Sequence, residues 1–190
     1  DPVLASVIKT GGPLPTEAHD NHFRTLARAV VGQQLSGSAA RTIWSRLSDR
    51  AGMITPQAIL SLDDASLRAA GLSQAKTGYL RELASRIVNR TLDLDHLEEL
   101  SDQSAIQELT TVRGIGRWTA EMFLIFSLGR PDVFPVDDLG LRRAMTIAYG
   151  LATPATEDLE RIADAWRPFR TCAALLLWRA LDLGLLAKES

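Results

Sequence analysis

The sequence predicts an all-α fold, a two-lobed bundle of about ten short helices with a helix-hairpin-helix motif. Three observations lead there. Apolar residues recur at three- and four-residue spacing, as in Phe23, Leu26, Ala27, Val30 and Val31 and again in Leu80, Leu83, Ala84, Ile87 and Val88, which marks one buried face of a helix. Breakers interrupt this pattern at short intervals: Gly11-Gly12-Pro13, Gly32, Met53 to Pro56, Gly71, Thr91 to Asp95, Arg113 to Gly116, Gly129 to Asp137 and Gly150 to Pro154. Strand-like alternation persists nowhere, with Asp132 to Val136 the nearest approach.

The helix starts are marked by hydroxyls that can accept from free amides. Thr55 before Pro56, Ser73 before Gln74 and Thr153 before Pro154 are the expected N-caps. Residues 21–108 are expected to form a central lobe, and residues 1–20 with 109–190 a second one; a mixed α/β domain at the N-terminus is not expected. At their junction Ile106 and Leu109 close one helix, Gly114 and Gly116 allow a tight reversal, and Trp118, Met122, Phe123 and Phe126 supply the inner face of the next.

Composition narrows the function classes. The longest apolar stretch, Ala173 to Trp178, is far shorter than the roughly 20 residues that span a bilayer. Val3 to Ile8 is too short and too weakly flanked for a secretory signal, so a cytoplasmic setting is expected, nucleoid-associated in a bacterium. A single cysteine, Cys172, excludes an intrachain disulfide and a four-cysteine zinc or iron–sulfur site. Within its apolar run Cys172 reads as a small core residue. The net charge of −2 argues against indiscriminate coating of nucleic acid. That average hides a division: residues 21–90 carry ten basic side chains against four acids, whereas 93–108 carry six acids and no Lys or Arg. Such asymmetry permits a local basic face, or simply solvated helix surfaces.

Glycines at a helix start expose backbone N–H groups, which together with the helix dipole suit a phosphate oxygen. Alone, Gly114-Ile115-Gly116 is equally a turn between packed helices. The run Asp132-Val133-Phe134-Pro135-Val136-Asp137-Asp138-Leu139-Gly140 then places two acids directly before another helix, and the pair of features is much more specific.

At this point the chain resembles the helix-hairpin-helix, Gly/Pro-Asp superfamily of DNA glycosylases, and within it the bacterial and yeast type of 3-methyladenine DNA glycosylase. Four blocks carry the resemblance: Val30-Val31-Gly32-Gln33-Gln34-Leu35-Ser36; Gly71-Leu72-Ser73 with Lys76 and Tyr79-Leu80; Gly114-Ile115-Gly116-Arg117-Trp118-Thr119-Ala120; and Phe134 to Leu139. Trp166 to Arg170 with Trp178 is similar to the closing helices.

The resemblance implies roles for individual residues. Asp138 is the implied catalytic carboxylate, which would either stabilise an oxocarbenium-like sugar or orient and deprotonate water; its alternative is to cap the helix, a role compatible with catalysis, while Asp137 keeps the capping expectation. Trp118, Met122, Leu139 and Trp178 are implied to line the base pocket, although core burial would equally suit tryptophans in such apolar helices. Better-known bacterial members carry Tyr where this chain has Met122 and Leu139. Gln33, Gln34, Leu35 and Ser36 match the loop that fills the gap left by an extruded base, with either Gln34 or Leu35 as the wedge. Gly114, Gly116, Arg117 and Thr119 are implied to hold DNA, and the carbonyls of Thr110, Val112 and Ile115 to hold a monovalent cation such as Na⁺ or K⁺. No other cofactor is expected.

Related lyases carry a Lys where this chain has Trp118, and a Schiff base needs an amine. The resemblance therefore implies a monofunctional hydrolase, acting as a monomer on double-stranded DNA that contains alkylated purines such as 3-methyladenine and 7-methylguanine. A non-enzymatic hairpin clamp on DNA, a glycosylase for another lesion or mismatch, and a helical protein-interaction domain are the competing readings.

Overall fold

A computed structural model describes residues 1–12 and 21–186. Eleven α-helices run through them: α1 (Pro2–Gly11), α2 (His22–Gly32), α3 (Gly37–Ala51), α4 (Pro56–Ser61), α5 (Asp64–Ala69), α6 (Gln74–Val88), α7 (Asp102–Thr110), α8 (Arg117–Phe126), α9 (Leu139–Ala148), α10 (Thr156–Asp164) and α11 (Arg170–Asp182). A 3₁₀ turn at His96–Glu99 precedes α7. No strand occurs among the described residues, and none of their helices is long and apolar enough to cross a membrane.

The chain divides into two compact units, His19–Gly129 and Asp1–Ala18 with Arg130–Ser190. The C-terminal boundary of the central unit, at 129, therefore falls later than the expected one at 108. The reason is packing: α8 lies against both α2 and α7, so the helix after the hairpin belongs to the same core as the helix before it.

In the central unit α2 sits among α3, α6 and α8, and α6 carries α4 and α5. The buried stripe of α2 is the one the sequence spacing marks, Phe23, Leu26, Ala27, Val30 and Val31. Leu47, Ile59, Leu67, Leu80, Leu83, Leu109 and Phe123 complete a fully buried interior. Side-chain caps start most of these helices: Asn21 for α2, Ser36 for α3, Thr55 for α4, Asp63 for α5, Ser73 for α6 and Ser101 for α7.

The other unit packs α11 against α1 and α9. Its core joins Leu4 and Val7 to Leu141, Met145, Leu159, Trp166 and Leu177. Two expectations fail here. Thr153 caps nothing: α10 starts at Thr156, and the Ala155 N–H donates to Asp158 Oδ2 at 3.1 Å instead. Arg142 from α9 draws this segment in, donating to Thr156 Oγ1 at 3.2 Å and the Pro154 carbonyl at 3.4 Å. Cys172 is exposed, since the helical period turns Ala173, Ala174, Leu177 and Ala180 inward and leaves position 172 outside.

Asp132 to Val136 forms an irregular segment tied down by side chains. The Arg170 guanidinium donates from Nε to Asp132 Oδ1 at 2.7 Å and from Nη2 to Oδ2 at 3.0 Å, and Arg167 Nη1 donates to Oδ2 at 2.7 Å. Thr171 Oγ1 donates to the Arg130 carbonyl at 2.6 Å and accepts from the Val133 N–H at 3.0 Å. Hydrogen bonding from Arg170 holds the Asp132 carboxyl below its ordinary value. Its stabilising contribution is therefore complete above the unfolded carboxylate value of about 3.9 and is lost as pH falls through the depressed folded value. Asp132→Asn is expected to cost about 2 kcal/mol at pH 7, read by urea denaturation, with the gap to the parent protein narrowing below about pH 4.

Candidate functional site

Asp138 stands at the start of α9 because the irregular segment ends there, and it caps the helix itself: Oδ1 accepts from the Leu141 N–H at 2.7 Å. The capping role expected of Asp137 thus belongs to Asp138, and Asp137 is exposed. The same Oδ1 accepts from Trp178 Nε1 of α11 at 2.8 Å. Trp178, expected as a wall of the base pocket, thus spends its indole N–H on the carboxylate. Gly140 completes this cluster. A Cβ there would stand 3.2 Å from Asp138 Oδ1 and 3.6 Å from the Trp178 ring, so the absence of a side chain lets the indole and carboxylate meet. Leu139 is 82% exposed beside them.

The hairpin lies in the central unit, between α7 and α8. Gly114 has φ +86°, and a Cβ at this position would run into the Tyr79 ring of α6, so the backbone rests directly on an aromatic face. Arg86 of α6 fixes the other side, donating from Nη2 to the Thr111 carbonyl at 3.0 Å and to Glu82 Oε1 at 2.9 Å. Glu82 Oε1 also accepts from the Arg113 N–H at 3.3 Å. Gly116 precedes α8 without a side-chain cap, and Gly116 and Arg117 are exposed, which leaves the start of this helix suited to an external anion.

Of the carbonyls expected to face a cation, Val112 accepts from the Ile115 N–H at 3.0 Å. Among the described residues no turn N–H donates to the Thr110 or Ile115 carbonyl. Hard oxygen donors of this kind fit a monovalent cation. No group of three or more His, Cys, Asp or Glu side chains with metal-binding geometry occurs among the described residues.

The turn expected to carry the wedge follows α2. Gln33 (φ −50°, ψ 129°) and Gln34 (φ 58°) form the corners of a turn closed by the Leu35 N–H on the Gly32 carbonyl at 3.2 Å, the geometry of a type II β-turn. Its third position normally selects Gly, yet here it holds an exposed Gln34, with Leu35 39% exposed beside it. Ser36 begins α3 as its N-cap.

Two residues expected to touch DNA turn inward instead. Gln33 Nε2 donates to the Gly114 carbonyl at 2.8 Å and to Thr119 Oγ1 at 3.0 Å. The Thr119 side chain is buried, so only its backbone faces the helix start. Lys76 supports the same turn, with Nζ donating to the carbonyls of Val31 at 2.8 Å and Gln33 at 2.6 Å. Burial pushes its ammonium below the ordinary lysine value. The sequence held a signal for this: Lys76 lies four residues before Leu80, on the buried side of α6. Trp118 is half-buried and Met122 is buried on α8.

Residues 27–168 match the family described as HhH-GPD superfamily base excision DNA repair protein. The chain is similar to DNA-3-methyladenine glycosylase 1 of Schizosaccharomyces pombe, 37% identical over 85% of this chain and 73% of the relative. It is also similar to an alkylbase DNA glycosidase-like protein of that yeast, 31% identical over 92% of this chain and 86% of the relative. The structure of the S. pombe 3-methyladenine DNA glycosylase in complex with abasic DNA superimposes with a TM-score of 0.89 at 34% identity, covering 96% of this chain and 92% of that one.

Two substitutions test the geometry. Gly114→Ala is expected to destabilise the protein by about 2 kcal/mol or more, through strain at φ +86° and displacement of Tyr79. Gln34→Gly is expected to stabilise it by about 0.5–1 kcal/mol by relieving the left-handed backbone. Chemical denaturation measures both.

Proposed function

Because the chain belongs to the HhH-GPD superfamily of base excision DNA repair proteins, we propose that it is a monofunctional DNA glycosylase that removes alkylated purines of the 3-methyladenine and 7-methylguanine type from double-stranded DNA. The observation that carries the reading is the Asp138 carboxylate, fixed through Oδ1 by the Leu141 N–H and the Trp178 indole. Capping α9 needs only the Leu141 N–H, and a clamp that only gripped DNA would not require the added Trp178 indole on the same oxygen.

The target base is inaccessible inside the stack and must be extruded, at a cost of a few kcal/mol that is smaller for damaged pairs. Gly114, Gly116 and the start of α8 grip the backbone. Gln34, backed by Leu35, fills the vacated space. The carbonyls of Thr110, Val112 and Ile115 would hold a monovalent cation, which would supply positive charge toward a phosphate.

A cationic alkylpurine is attracted to the Trp118 ring by about 0.5–2 kcal/mol and is already a good leaving group. As the bond from C1′ to the base nitrogen breaks, its electron pair leaves with the base and cancels the ring charge. Positive charge then develops on the sugar, and the Asp138 carboxylate stabilises it. Water adds its oxygen to C1′ and loses a proton, giving an abasic site and a free base. The first turn of α8 holds Arg117, Trp118 and Thr119 and no lysine, so a Schiff-base route has no amine there.

Incubation of the protein with methylated duplex DNA is expected to release 3-methyladenine and 7-methylguanine. Asp138→Asn should slow release by about 10²–10³-fold; equal release by both proteins would refute the assignment. Trp178→Phe, which keeps a ring but removes the donor, is expected to lower the single-turnover rate about ten-fold with unchanged duplex affinity.

A further inference from the structure

We infer that Gln33 and Lys76 are positioning residues that lock the wedge turn to the phosphate-gripping hairpin, so that the two DNA-contacting elements move as one frame. The inference rests on the DNA-binding part of the function proposed above, and goes beyond it by assigning these two side chains no contact with DNA at all.

Within the central unit the link is continuous. The Gln33 carboxamide bridges from the turn to the Gly114 carbonyl and the buried Thr119 hydroxyl. The carbonyl of the same residue is held from the other side by Lys76, which also holds the Val31 carbonyl at the end of α2. Gln34 follows directly in a left-handed conformation. A non-glycine residue keeps that backbone only where its surroundings over-determine it, and pinned Gln33 before it and the Ser36 cap after it provide the restraint.

The hairpin, by contrast, does not need Gln33 to form. Tyr79 beneath Gly114, Arg86 on Thr111 and Glu82 under the Arg113 N–H hold it independently. Loss of the link should therefore spare the grip on intact DNA and selectively remove the advantage gained when a side chain enters a gap. A residue that contacted phosphate itself would change both affinities together.

The experiment compares binding to a duplex containing one tetrahydrofuran abasic analogue with binding to the matching intact duplex, by fluorescence anisotropy at fixed salt. Gln33→Met is expected to reduce the preference for the gapped duplex about ten-fold, with intact-duplex affinity held within about two-fold. Lys76→Met should act in the same direction. Thr119→Val should lower the preference and Thr119→Ser restore it, a pattern that general destabilisation would not produce. Retained gap preference in Gln33→Met, or a parallel loss on both duplexes, would overturn the inference. The enzyme reading is judged separately by base release: a parent protein that prefers the gapped duplex through Gln33 yet releases no base overturns the enzyme reading and leaves the link standing.

Discussion

One oxygen atom, Asp138 Oδ1, receives two N–H donors from different helices, the Leu141 amide of α9 and the Trp178 indole of α11. Charge-assisted bonds of this kind are about twice as strong as neutral ones and fix direction as well as distance. Much of the surrounding unit serves that arrangement. The packing of α11 on α9 brings the indole to the helix start, Gly140 leaves room for it, and the Asp132 contacts with Arg167 and Arg170 anchor the chain that leads into position 138. Helix capping and carboxylate positioning are here the same interaction.

The central unit solves a different problem, that of holding exposed backbone in unusual conformations. Gly114 and Gln34 both have positive φ, and each is stabilised by neighbours with no such strain. Tyr79 supports the former from below. Gln33 and Lys76 support the latter from within the protein. The Gln33 amide, the Lys76 ammonium and the Thr119 hydroxyl are consumed in satisfying backbone carbonyls and one another. That is the usual fate of polar groups placed beside a core.

The same economy governs several charged side chains. Arg86 and Glu82 stabilise the hairpin, Arg142 gathers the segment before α10, and Arg170 anchors Asp132. The excess of basic residues between 21 and 90 is thus partly structural, with Lys76, Arg81 and Arg86 spent on protein oxygens.

By itself the sequence determined the helical class, the apolar stripe of α2, the caps at Thr55 and Ser73, the hairpin around Gly114 and Gly116, and the acid at 138. These are local properties, set by periodicity, turn chemistry and short motifs. Tertiary structure decided the rest. That α8 joins the central unit, that Arg142 draws in the segment before α10, and that Gln33 and Thr119 turn inward all depend on partners distant along the chain. Gln33 meets Gly114, Trp178 meets Asp138, and Arg142 meets Thr156 only after folding. A side chain's hydrogen-bond partner is a matter of direction in space, which spacing along the sequence does not encode.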